Sequence, residues 1–144
     1  MTRLASLALV LAGLALAGPA RAADISGIWL TNTGDAHIRI ARCGANMCGT
    51  IVWLKDPKDA DGRPVTDAKN PDPAKRSRPL IGVEVAIGFH TESGNPEKYV
   101  GSFYNAEDGH NYSGSIAAAN ADTLRVEGCL LMFCQTQIWT RVKR

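Results

Sequence analysis

Apolar and polar residues alternate with a period of two through most of the chain beyond residue 24. In Ala36–Arg42, Ile38 and Ile40 fall on one face and His37 and Arg39 on the other; in Thr123–Cys129, Leu124 and Val126 oppose Arg125 and Glu127. Strict alternation of this kind marks half-buried strands. The same reading predicts strands over Ile25–Thr31, Gly49–Leu54, Leu80–Phe89, Lys98–Asn105, His110–Ala118 and Gln135–Val142, with Asp108-Gly109 as a hairpin turn. About eight short strands joined mostly by tight turns predict an all-β fold, a small antiparallel up-and-down β-barrel of calycin- or lipocalin-like form. Gly27-Ile28-Trp29 near one end and Trp139-Thr140-Arg141 near the other are the expected closure: Trp29 packs across the floor, with Arg141 stacked on its ring and bonded to nearby carbonyls.

One stretch breaks the pattern. Residues Lys55–Pro79 hold five aspartates (Asp56, Asp59, Asp61, Asp67, Asp72) and most of the prolines. Connections this long are uncommon in compact domains and tend to carry function. Asp72-Pro73 reads as an N-cap followed by proline at the first helical position, so one helical turn is expected through Ala74–Ser77, with Pro79 stopping it. The prolines favour an ordered loop.

The amino terminus reads differently. Arg3 precedes an apolar run from Leu4 to Leu16, then Pro19 and Ala20-Arg21-Ala22, the form of a secretory signal cleaved after residue 22. The run is shorter than the ~20 residues a membrane span needs. The expected domains are therefore a signal peptide, 1–22, and a single barrel, 23–144. Removing Arg3 and Arg21 takes 16 Lys and Arg to 14, against 14 Asp and Glu, so the mature chain is neutral. Neutrality argues against nucleic acid as a partner. Export to the periplasm or beyond, and a monomer, are expected.

Four cysteines suit an oxidising compartment. Three pairings are open to them. Cys43–Cys48 and Cys129–Cys134 are favoured, because each pair flanks four residues and would sit at the neck of a hairpin. Zinc is the rival use, and oxidation argues against it.

Three blocks resemble a known family. They are Arg42-Cys43-Gly44 with Cys48–Leu54; Asp61-Gly62-Arg63-Pro64, Asp67 and Asn70-Pro71-Asp72-Pro73 with Arg76–Gly82; and Gln137–Arg141. Together they resemble the bacterial domain-of-unknown-function family 2147. The resemblance implies an exported single-domain β-barrel and transfers no catalytic residue.

Candidate chemistry is sparse. Arg76 and Arg78 stand two apart and present two guanidinium forks for a carboxylate or phosphate; the competing use is to pin the loop through its own aspartates. Glu84, on an apolar strand, is the acid expected to be partly buried. Together with Trp53 these three form the expected ligand set. Asp59-x-Asp61-Gly62 resembles a calcium loop, but the EF-hand register puts Pro57 first and Ala68 last where an acid is needed, so an irregular calcium site stays open beside the plainer use of these aspartates in turns and caps. His37, His90 and His110 are scattered, and no Gly-x-Ser-x-Gly elbow exists. No catalytic residue, metal or cofactor is therefore assigned. Leu130-Leu131-Met132-Phe133 places four apolar residues at a hairpin tip. The expected use is to fold back and cap the barrel; the alternative is a tip exposed to a partner. The leading functional expectation is a non-enzymatic barrel for a small apolar or amphipathic ligand. The alternatives are an envelope-protein or cell-wall module using residues 55–82 and the tip, and an unfamiliar hydrolase centred on Glu84 or a histidine.

Overall fold

In the computed structural model the described residues are Gly18 and 23–143. The proposed signal sequence lies outside them, apart from Gly18. Eight antiparallel strands close a barrel in chain order: β1 Gly27–Leu30, β2 Ala36–Cys43, β3 Asn46–Leu54, β4 Glu84–Glu92, β5 Asn95–Asn105, β6 His110–Asn120, β7 Thr123–Leu130 and β8 Phe133–Arg141. The up-and-down barrel read from the alternation is the observed fold. Among the described residues no helix is long and apolar enough to cross a membrane.

In a meander, successive connections lie at opposite ends. The β2–β3, β4–β5 and β6–β7 turns thus share one end with the incoming segment 23–26. This end is closed. Trp29 is fully buried and its indole N–H donates to Ile25 O at 3.0 Å. The Arg141 guanidinium lies 4.2 Å from the Trp29 ring centroid and donates to Ser26 O (2.9 Å) and Ala121 O (2.7 Å). Gly27 adopts φ 137°, and a Cβ there would collide with the Arg141 guanidinium, so this position requires glycine. Tyr99 adds a bond from its hydroxyl to Ala23 O at 3.0 Å.

Above this floor the interior is filled by Ile38, Ile40, Ile51, Phe89, Ile116, Leu124, Val126 and Trp139, all buried. Phe103 lies between Phe89 and Trp139, with centroids at 4.8 and 6.2 Å. A Cβ at Gly101 would come within 2.8 Å of the Phe89 ring, so the small residue makes room for the aromatic layer.

Both disulfides form, with different geometry. Cys129 and Cys134 are directly opposed, Cα–Cα 4.0 Å, across the two-residue Leu131-Met132 turn. Cys43 and Cys48 are diagonal, Cα–Cα 5.7 Å, because the turn is the tight Gly44-Ala45 and Cys43 faces Asn46. The expected four-residue loops are in both cases two-residue turns with strand pairing carried past the cysteines.

Candidate functional site

The β1–β2, β3–β4, β5–β6 and β7–β8 connections share the other end, the mouth. Here the wall is incomplete. β1 pairs with β8 only at Trp29↔Arg141 and Leu30↔Thr140, whereas β7 pairs with β8 along its whole length down to Leu130↔Phe133. The outer half of β8 therefore rises beyond β1 with one neighbour. Pleat alternation puts Phe133, Gln135 and Gln137 on the same face as Trp139. Trp139 is buried, while Gln137, Gln135 and Phe133 are exposed. Along β8 burial therefore ends at Trp139, while on the neighbouring β7 Val126, opposite Gln137, is still buried. Gln137 turns its amide oxygen to the Trp139 indole N–H at 3.0 Å, which sets a polar ledge at the bottom of the mouth.

The long β3–β4 connection is ordered across this end. Bridges pair Lys58 with Pro64 and Thr66 with Pro79. Asp72 caps the turn Pro73–Lys75, accepting from Ala74 N at 3.0 Å; this 3-10 turn begins one residue before the expected one. Little of the loop is apolar and buried, and it is fastened by a polar latch. Asp67 is 0% exposed, and Asn70 is also buried. The Asp67 carboxylate accepts from Tyr104 Oη (2.5 Å), Asn70 Nδ2 (2.8 Å), and Arg78 Nε (2.9 Å) and Nη2 (2.8 Å). Burial pushes the Asp67 carboxyl up, but the bonds from Tyr104, Asn70 and Arg78 outweigh it and hold it below the usual carboxylate range. The same burial and the Asp67 charge push the Tyr104 phenol up. Since Phe103 faces inward, Tyr104 faces out, so the latch grips the outer wall of β5. The loop also crosses the β5–β6 turn, where Lys69 O lies so close to Gly109 that no side chain fits.

The predicted ligand residues are thus dispersed. The Arg78 fork is occupied by Asp67, and Arg76 Nε donates to Asn70 O at 2.7 Å, so both guanidinium groups serve the loop's own structure. Glu84 is exposed instead of partly buried: alternation between its neighbours Val83 and Val85 turns it to the outside, and Val83, Val85 and Ala86 take the interior. Trp53 is half-exposed and stacks on His37 at 4.3 Å. No hydrogen bond or ion pair joins Arg76, Arg78, Glu84 and Trp53 to one another among the described residues. Asp59 and Asp61 are used locally, Asp59 Oδ1 accepting from Asp61 N and Arg63 N, and Asp61 pairing with Arg63.

The apolar tip does not cap the barrel. Leu130, Leu131, Met132 and Phe133 are 49, 91, 86 and 77% exposed. The two-residue turn projects them off the end of the β7–β8 ladder. Leu131 has φ 56°, a left-handed conformation that disfavours a branched side chain. A histidine and an acid do meet on the β5–β6 turn, His110 Nδ1 lying 3.5 Å from Asp108 Oδ1, with the Tyr112 hydroxyl donating to the same carboxylate. This trio stands on an exposed turn, and the bonds it makes shape that turn. A shallow hollow of about 250 Å³ lies on the outer wall of β5–β7, floored by Gly101 and Gly114 and edged by Lys98 and Glu127.

The family described as an uncharacterized protein conserved in bacteria (DUF2147) matches residues 27–141. A solved structure, protein HP1028 from the human pathogen Helicobacter pylori, described as belonging to the lipocalin family, is similar at a TM-score of 0.69 and 20% identity; the match covers 83% of this chain and 84% of that one. At that identity the likeness shows the fold. No curated protein matches the chain.

Proposed function

The chain belongs to this bacterial family, and from that premise we propose that it is an exported, non-catalytic barrel that takes a small amphipathic molecule at its mouth. One observation carries the reading. On a single face of β8 burial stops at Trp139, and Gln137, Gln135 and Phe133 above it are exposed at the open end. Small barrels offer room for one small ligand or none, and the exposed outer half of β8, above the aromatic layer, is where we place it. The chemistry on offer is two amides over an indole, with Phe133 and Leu130 at the rim, which suits a ligand with an apolar body and a hydrogen-bonding head. Export is supported by the leader-like sequence before residue 23 and by two disulfides. Native mass spectrometry of the protein purified from a bacterial envelope tests the proposal. Retention of a discrete small-molecule mass that is lost in Gln137→Leu supports it; only unliganded protein, with and without added amphiphiles, contradicts it.

A second reading, an envelope-interaction module, is favoured by the exposure of Leu130–Phe133.

A further inference from the structure

The outer half of β8 is an unprotected sheet edge. Val142 N donates to Ile28 O on β1 at 2.9 Å, and Ile138 N donates to Asn32 Oδ1 at 3.4 Å. Residues of this parity point their backbone groups away from β7, so Thr136 and Cys134 do too. Because β1 stops at Leu30, the outward N–H and C=O of Thr136 and Cys134 meet no protein partner among the described residues. Natural edges are commonly blunted by charge, proline or a bulge. This edge has none of these. The thirteen residues Gly128–Thr140 include no charged residue and no proline, and the β7–β8 register runs without a shift.

We propose that this edge pairs with the same edge of a second copy, giving a two-fold dimer whose β8 strands run antiparallel. This goes beyond ligand binding and stands whether or not the mouth is filled. With the axis beside Gln135, Cys134 lies opposite Thr136 of the partner subunit, and each such pair exchanges both backbone bonds. Gln135 then faces Gln135 of the partner subunit in a non-hydrogen-bonded pair. Each exposed tip reaches the level of Ile138 of the partner subunit, a residue that is itself exposed here. The occupant is a second copy for two reasons. The edge is self-complementary, with no like charges to repel. The hairpin tip also lacks the Lys or Arg that anchors an apolar tip at lipid headgroups. Leu130–Ile138 supplies nine consecutive exposed residues per subunit, well short of the roughly 20–30 of a standard interface. The dimer is accordingly weak and depends on concentration. Pairing also walls in the open flank of both mouths.

Sedimentation velocity over a wide concentration range tests the unmodified protein, and a reversible monomer–dimer equilibrium is expected. Gln135→Cys should cross-link covalently under mild oxidation, because cross-strand Cβ atoms in such a pair lie ~4.5–5.5 Å apart. Thr91→Cys, on the opposite wall, should not. Thr136→Pro removes an N–H the barrel does not use, and should abolish the dimer while leaving the melting transition in place. A monomer at every concentration overturns the proposal. So does a dimer that survives Thr136→Pro, or Gln135→Cys cross-linking no faster than Thr91→Cys. Flotation of a monomeric protein with phospholipid vesicles, lost in Leu131→Ser, would also overturn it and assign the tip to lipid.

Discussion

Replacing Asp67 by alanine should release the long loop. The carboxylate is fully buried and receives four bonds from three side chains. Its loss leaves the Asn70 amide and the Tyr104 hydroxyl buried without this acceptor. Each stranded donor costs about 1–3 kcal/mol. Arg78 contributes less, because its side chain is 40% exposed and rehydrates. The sum is on the order of 3 kcal/mol, less whatever the loop recovers by opening to water. For a domain of this size that lowers Tm by roughly 10 °C. Tyr104→Phe removes one donor to Asp67 and the acceptor of one Asn70 Nδ2 hydrogen (3.2 Å) but leaves the carboxylate its other three bonds, and should cost less than Asp67→Ala, about 1–2 kcal/mol. Hydrogen exchange locates the effect: the amides of Asp67 and Asn70, now bonded to Arg78 O and Asp67 O, should exchange faster, with strand amides little changed. The pH dependence fixes the sign. The folded carboxyl titrates below its unfolded value of about 3.9, so the latch is at full strength above that pH and fades as pH falls through the still lower folded value. The wild type and Asp67→Ala should therefore converge in Tm in strong acid. An Asp67→Ala protein that melts within a degree or two of wild type at neutral pH, or a gap that persists undiminished below the folded titration, would refute the latch.

Two further perturbations probe the ends of the barrel. Arg141→Met keeps the stem over Trp29 but removes the cation and its bonds to Ser26 O and Ala121 O, and should cost about 2–3 kcal/mol in urea unfolding. Leu131→Gly relieves the left-handed strain at the tip and should raise the urea midpoint by about 1 kcal/mol equivalent.

The barrel was legible because its signal is local. Alternation along β2 and β7, short turns and cysteines at hairpin necks mark strands without knowledge of their partners. The apolar run around Glu84 suggests burial, yet its neighbours Val83 and Val85 are the buried residues, and simple alternation between them already turns Glu84 to the outside. Asp67 was one of five loop aspartates, and nothing local distinguishes the one that meets Tyr104, 37 residues away. Asn70 three residues on and Arg78 eleven on were the available hints, and both belonged to a block already read as a family signature. Hydrophobicity alone favours folding the apolar tip back as a cap over leaving it exposed. The two-residue turn decides otherwise, because it leaves no chain with which to fold back.

The open mouth is the central claim, and side-chain NMR of Gln135 and Gln137 tests it most directly. Titrating a short amphiphile into protein with assigned amide side chains should shift these two resonances and the Trp139 indole N–H together, in a saturable way. The Trp29 indole N–H, at the closed floor, should stay in place. Saturable shifts confined to the outer β5–β7 hollow, or no shift at Gln135, Gln137 and Trp139, would contradict the account.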